Sequence, residues 1–319
     1  MPAKELSFSE NARSSYRMFL DKHIFPAIGD TLLVDITPAM ITKLLIDFQK
    51  TERTITRKDG TETTKKGYSH ATTVKLYNIL NGIFEMAFLD DSLPMNPMLK
   101  VKRPTPRKDE VHKEESEKAY TTKELAHILS CVEQEPLKWQ VYINLAADTG
   151  CRRGELCGLQ WSDIDWSTGT ITIRRNLQYT AQKGVYVAAP KNGKTRSVDI
   201  GPETITLLRK LREEQAETCI SQWVFTQDGL PDPMHPQSPT RYFKRFGERY
   251  SIPDFHPHKL RHSSASIALT NGADVVSVSE RLGHSDTAVT LRMYAHANEE
   301  SIRRAGQTVR DAIEKEKKA

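Results

Sequence analysis

Between Lys100 and Glu117 the chain carries charge and proline but no periodic apolar face. Lys102-Arg103-Pro104-Thr105-Pro106-Arg107-Lys108 and the acidic run after it have no stripe to bury, so the sequence falls into two blocks that must each build a core. A length of 319 residues suits that division. The expected organisation is a helical domain over 1–99, a linker over 100–118, a larger mixed domain over 119–297 and a tail helix over 298–319.

In the first block, Thr37-Pro38 reads as a helix start, with threonine as N-cap and proline at the first helical position. Ile41, Leu44, Leu45 and Phe48 then recur at helical spacing, and Tyr77, Leu80, Phe84, Ala87 and Phe88 trace a second stripe for them to meet. Between the two, near 53–66, Arg57-Lys58-Asp59-Gly60 predicts a tight turn joining two threonine-rich β arms. Arg57, Lys58, Lys65 and Lys66 make this hairpin basic; it reads equally as a surface lying along a phosphate backbone or as a solvated loop.

The second block opens with Thr121-Thr122-Lys123-Glu124-Leu125, a helix start with the spacing of a capping box, and Leu137, Val141 and Leu145 continue the helical period in the next element. Thr170 to Arg174 then alternates with Ile171 and Ile173 on one face, Val185 to Ala188 is extended, and Val198 and Ile200 alternate again. These segments predict one small antiparallel sheet, after which helices resume beyond Pro202. The fold class is mainly α with a small antiparallel sheet, α+β.

The formal charge of +5 is modest, yet lysine and arginine gather in patches that suit a polyanionic partner. Cys131, Cys151, Cys157 and Cys219 lack paired C-x-x-C spacing, which argues against a disulfide scaffold or a zinc ribbon. No apolar run reaches membrane-spanning length and the start has no secretory pattern, so the expectation is a cytoplasmic protein with no membrane partner.

Three segments carry chemistry. In Thr149-Gly150-Cys151-Arg152-Arg153-Gly154-Glu155-Leu156, Gly150 ends one helix and a new turn begins, which puts Arg152 and Glu155 three apart on one helical face. Glu155 can hold the Arg152 fork, and a fixed guanidinium grips two phosphate oxygens as no lysine does; an ordinary surface ion pair is the competing reading. Arg153 points elsewhere around the helix, toward a DNA backbone or solvent. His258-Lys259-Leu260-Arg261, opened by Pro257, sets an imidazole and a guanidinium three apart. His258 and His262 could instead ligate a metal, but the general-base glutamate of a zinc-protease motif is missing and Lys259 and Arg261 would repel a dication. Leu282-Gly283-His284-Ser285-Asp286 reads as a helix end with Gly283 as left-handed cap, followed by a helix through Tyr294 and His296. A tyrosine of ordinary pKa, about 10, becomes a nucleophile only with cations beside it and is otherwise a packed aromatic.

Arg152 within Thr-Gly-Cys-Arg-Arg-Gly-Glu-Leu, the His258-Lys-Leu-Arg261 box, Leu-Gly-His284 and Tyr294 in Met-Tyr-Ala-His resemble, in order and spacing, the tyrosine recombinase or lambda-integrase family. The resemblance is closest to integrases of temperate phages and conjugative transposons. It implies a helical core-binding (SAM-like) domain followed by a mixed α/β catalytic domain. It also implies a site-specific recombinase that cleaves and rejoins DNA through a 3′-phosphotyrosyl intermediate, integrating and excising a mobile element. Tyr294 would be the nucleophile, Arg152 and Arg261 would bind the non-bridging oxygens, and His284 would hydrogen-bond the same phosphate. His258 would serve as acid/base partner and Glu155 would orient its neighbours. A general-acid lysine is implied in the turn between the second and third strands, at Lys191, with Lys194 as the alternative and Asn192-Gly193 as the hairpin turn.

Because a phosphotyrosine keeps the energy of the cleaved bond, the resemblance implies no cofactor and no metal. The implied partners are double-stranded DNA at element ends and target sites, a homotetramer on that DNA, and an accessory DNA-bending or excision factor, all at the bacterial nucleoid. Arg103, Arg107, Arg153 and Lys194 join the hairpin cations as DNA-binding candidates. The stripe Ile302, Ala305, Val309 and Ile313 would dock on a neighbouring protomer or on its own domain. Integrases of this subgroup usually begin with an arm-binding domain; the expectation here is a truncated or a simpler recombinase. A type IB topoisomerase, a non-catalytic DNA-binding regulator and a zinc-dependent hydrolase remain as alternatives.

Overall fold

The computed structural model describes residues 8–56, 60–107, 119–190, 193–284 and 286–294, together with Ile313 and Lys317. They divide between two compact units, Met1–Glu115 and Ser116–Ala319.

In the first unit, helix α1 (Glu10–Phe19) runs through a π turn at Leu20–Ile24 into α2 (Phe25–Ile28). Helix α3 (Pro38–Lys50) starts as the sequence predicts, with the Thr37 hydroxyl accepting from the Met40 N–H. It buries Ile41, Leu45 and Phe48 with Leu76, Ile79, Leu80 and Phe84 of α4 (His70–Leu89). Removing each such side chain from water stabilises the fold by about 1.5–3 kcal/mol. Strands β1 (Arg53–Thr56) and β2 (Glu62–Lys65) form the expected hairpin, with Ile55 opposite Thr63. Lys65 stands opposite Arg53 and Lys66 is exposed, whereas Arg57 and Lys58 lie outside the described residues.

The segment expected as linker begins as packed chain. Val101 is buried, Gln49 Nε2 donates to the Thr105 carbonyl at 3.1 Å, and Arg107 Nη1 donates to the carbonyls of Gln49 at 2.8 Å and Tyr68 at 3.4 Å. Backbone carbonyls and a single arginine make these contacts, and neither leaves a periodic signature in the sequence. Arg103 stays exposed; 108–118 lie outside the described residues.

The second unit is built around α6 (Leu137–Thr149), whose Val141, Tyr142, Ile143 and Leu145 are fully buried. A helix apolar on several faces must be covered on several faces. Helix α5 (Thr122–Val132), with its Thr121–Glu124 capping box, together with α8 (Pro202–Thr218) and α10 (Pro257–Thr270), packs around it. Phe243 and Phe246 of α9 (Ser238–Arg249) close the core, Phe243 stacked on Phe255. Three short helices complete the unit: α7 (Arg153–Cys157), α11 (Val275–Leu282) and α12 (Thr287–Tyr294).

The β structure differs from expectation. Strands β3 (Ile164–Asp165), β4 (Thr170–Ile173) and β7 (Arg196–Asp199) form one antiparallel sheet, while β5 (Asn176–Thr180) and β6 (Gly184–Ala188) pair only with each other. Val185–Ala188 therefore belongs to a second, two-stranded sheet. The chain leaves the first sheet at Arg174 and Arg175, which both ion-pair with the buried carboxylate of Asp163, at 3.3 and 2.6 Å. Gly193 and Lys194 consequently lie between strands of different sheets, β6 and β7, which do not pair with each other, and Asn192 of the expected Asn-Gly turn lies outside the described residues. No helix among the described residues is long and apolar enough to cross a membrane.

Candidate active site

The site forms around the C-terminus of α11. The last carbonyls of any helix lack intrahelical partners and lie at the negative end of the helix dipole. Gly283, at φ +66°, closes α11 in a Schellman arrangement: its N–H donates to the Glu280 carbonyl at 2.9 Å and the His284 N–H donates to Ser279 at 3.0 Å. The next three carbonyls are each taken by a different arginine. Arg196 Nε donates to Arg281 O at 2.9 Å, Arg261 Nη2 to Leu282 O at 2.8 Å, and Arg152 Nη2 to Gly283 O at 2.8 Å.

The same arginines meet other elements. Arg261, 2 % exposed on α10, also donates to the Gly150 carbonyl at 2.6 Å. Gly150 ends α6 with φ +61°, and a Cβ there would stand 2.5 Å from Leu282, so glycine permits the two helix ends to approach. Arg152 is not on a helical face with Glu155, as the sequence reading had it. Its backbone is extended (φ −69°, ψ 148°), and it is the residue before α7. The pairing survives because the third helical residue reaches back to that position. Glu155 accepts from the Arg152 N–H and from Arg152 Nη1, both at 2.9 Å.

Glu155 is fully buried and also holds Arg196, whose Nη2 and Nη1 donate to its two carboxylate oxygens at 2.6 and 3.2 Å. Burial alone would raise the pKa of this carboxyl; the hydrogen bonds and charge of Arg196, then those of Arg152, outweigh it and hold it below the usual glutamate value. Arg261 is brought down to about 10 by burial and by Arg152, and it remains a cation at neutral pH. Arg152 and Arg196 thus share the Glu155 carboxylate while Arg261 stands beside them on backbone carbonyls, which leaves an excess of positive charge suited to a phosphate.

Two histidines border this charge. His284 is half-buried, with Nδ1 2.7 Å from the hydroxyl of the buried Thr290 on α12. His258, on the first turn of α10, stands edge-to-face with His262, ring centroids 4.3 Å apart. Desolvation lowers both His258 and His284 to about 4; His262 and Arg261 add to it at His258, and Arg261 and Arg152 at His284. Among the described residues no group of three or more histidine, cysteine or acidic side chains could hold a metal ion. Tyr294 is the last residue of α12, one turn beyond Thr290. Lys191 lies outside the described residues; Lys194 is exposed, two residues before Arg196. Arg153 is exposed and donates to the Thr240 hydroxyl at 2.6 Å.

Arg196 is the residue that sequence reasoning missed. Its signal was available: Val198 faces the core, and alternation along a strand puts residue 196 on the same face. An arginine facing a core needs a buried carboxylate, and Glu155 was already in hand.

A model of the phage integrase family matches residues 118–301, more than half of the chain. Prophage phiRv2 integrase of Mycobacterium tuberculosis is 29% identical over 296 residues, covering 92% of this chain and 72% of that protein. The ICEBs1 integrase of Bacillus subtilis is 28% identical over 266 residues, covering 78% and 68%. The structure of the Tn1549 transposon integrase in complex with a circular intermediate DNA superposes with a TM-score of 0.77 at 19% identity, covering 96% of this chain and 97% of that one, a likeness of fold. With Arg152, Arg261 and His284 gathered at one helix end and the family match spanning residues 118–301, this chain belongs to the phage integrase family and is a tyrosine recombinase.

Proposed function

We propose that this recombinase integrates and excises a mobile element, phage or conjugative transposon, by cutting duplex DNA at element ends and target sites through Tyr294. The observation that carries the reading is the gathering of three guanidinium groups at the turn between α11 and α12, Arg152 and Arg196 on the Glu155 carboxylate and Arg261 on the Leu282 and Gly150 carbonyls. Arg152 and Arg261 face a scissile phosphate with the donors their carbonyl contacts leave over and meet the charge that grows as the phosphorus becomes five-coordinate. In this reading the Thr290 hydroxyl, 2.7 Å from His284 Nδ1, donates to it, and the imidazole then carries its proton on Nε2 and donates it to the phosphate.

Tyr294 Oη attacks phosphorus in line, the bond to the 5′-oxygen breaks, and the leaving oxygen takes a proton from Lys191, or from Lys194 in the same turn. His258, neutral at physiological pH, accepts the tyrosine proton. The result is a 3′-phosphotyrosine and a free 5′-hydroxyl, and attack by another strand's 5′-hydroxyl reverses the step without an energy source. Each copy brings one nucleophile, and exchange between two duplexes cuts four strands, so four copies act together. The residues to 99 form the core-binding domain, 119–297 the catalytic domain, and the exposed Lys66 and Arg103 contact the DNA backbone.

The test is covalent trapping. With EDTA present, the protein is incubated with an element-end duplex whose scissile strand is nicked so that the cut piece diffuses away, beside Tyr294→Phe. A shifted band on a denaturing gel from the tyrosine protein alone is the expected result. Tight binding of the same duplex with no covalent band would overturn strand cleavage in favour of a DNA-binding regulator. Relaxation of supercoiled DNA without recombinant products would overturn integration in favour of topoisomerase-like action.

A further inference from the structure

We propose that Arg196 is a positioning residue for strand cleavage: it fixes the Glu155–Arg152 pair and the Arg281–Gly283 turn against each other, so that Arg152 meets the scissile phosphate in a set orientation. The inference rests on the strand-cleavage reading above.

A guanidinium has five N–H donors. In Arg196, Nε is taken by the Arg281 carbonyl, Nη1 by Glu155 Oε1, and Nη2 by Glu155 Oε2 and, at 3.6 Å, by Cys151 Sγ. The side chain is 11% exposed. It has no fork to offer a phosphate and acts only through the groups it holds. A second observation comes from Gly283: a Cβ built there would stand 2.8 Å from Arg196 Nη1 and 3.0 Å from Cζ, so the guanidinium lies against the backbone in the space a side chain would fill.

The contacts close a ring. Arg196 binds Glu155, Glu155 binds Arg152, Arg152 binds the Gly283 carbonyl, and Gly283 rests on Arg196. Without Arg196 the Glu155 carboxylate is held by Arg152 alone, and nothing ties the pair to the Arg281 carbonyl to set the plane of the Arg152 guanidinium. A lysine keeps the charge but cannot hold both carboxylate oxygens and the Arg281 carbonyl in one plane.

The test compares wild type, R196Q and R196K in single-turnover formation of the covalent complex on two nicked duplexes. One carries the ordinary scissile phosphodiester; the other carries a methylphosphonate, in which a neutral methyl replaces one non-bridging oxygen and removes the charge that Arg152 must meet. Both variants should slow cleavage of the phosphodiester by about 100-fold but cleavage of the methylphosphonate by less than about 5-fold. Equal slowing on both substrates, the outcome of a merely structural role, would overturn the proposal, and so would a loss below about 5-fold on the phosphodiester. Melting temperature and DNA affinity establish that each variant is folded; where R196Q does not fold, R196K decides. A wild-type protein that forms no covalent complex defeats the cleavage reading itself, a result distinct from either of these.

Discussion

Arg152 Nη2 lies 2.8 Å from the carbonyl oxygen of Gly283, 131 residues further along the chain. That one hydrogen bond joins the first motif of the sequence to the last and sets where His284 begins. The site is assembled on the backbone of a helix end, so substitutions that leave every proposed catalytic side chain in place can still disable it.

Glu155→Gln removes the carboxylate from between two arginines while preserving shape. Breaking a buried ion pair by deleting one partner costs about 3–5 kcal/mol, and thermal unfolding should report a loss near the lower end, since Arg152 is partly exposed. A loss below about 1 kcal/mol would sink the assignment of Glu155 as the keystone. The wild type carries the matching acid signature: the folded-state pKa of Glu155 is depressed, so its stabilisation is full above the ordinary glutamate value and is lost as pH falls through the folded one.

His258 and His284 should titrate near 4 in the free protein, and ring-proton NMR from pH 3 to 8 checks it. Unfolded histidine binds its proton near 6.5. Between about 6.5 and 4 the unfolded chain therefore holds more protons than the folded one, and stability falls as pH falls through that window. Histidine signals midway near 6.5 in the free protein would contradict the packing described for both rings.

Gly283→Ala places a methyl against the Arg196 guanidinium at a backbone φ of +66°. The left-handed conformation alone costs a non-glycine residue about 1–2 kcal/mol. Cleavage should fall far more than DNA affinity, because the displaced groups orient the phosphate and do not supply the bulk of the binding charge. A variant with wild-type single-turnover rate would show that the turn tolerates a shift.

Thr290→Val keeps the volume and removes the hydroxyl 2.7 Å from His284 Nδ1. Losing one neutral hydrogen bond should destabilise the fold by about 1 kcal/mol. The imidazole is then free to take either tautomer, and covalent-complex formation should slow by about 10-fold, matching His284→Gln in direction and smaller in size. An unchanged rate would mean that Thr290 does not set the ring.

The helices of both units were legible because their signals are local: Thr37 before Pro38, the Thr121–Glu124 box and Gly283 each state a boundary within four residues. The convergence of Arg152, Arg261 and His284 was implied by the family resemblance of their motifs. What stayed hidden is nonlocal. The β strands divide between two sheets at Arg174 and Arg175, which pair with Asp163 of an earlier element, and 101–107 dock on carbonyls that every residue possesses. Arg196 was overlooked beside a turn considered only for its lysines, although its parity with Val198 pointed inward.

Two arginines sharing one buried carboxylate restrict how this sequence can drift. A descendant that loses Glu155 leaves Arg196 charged and enclosed, and one that loses Arg196 leaves a carboxylate with half its partners. Positions 155 and 196 are therefore expected to co-vary across lineages, changing as a pair or not at all.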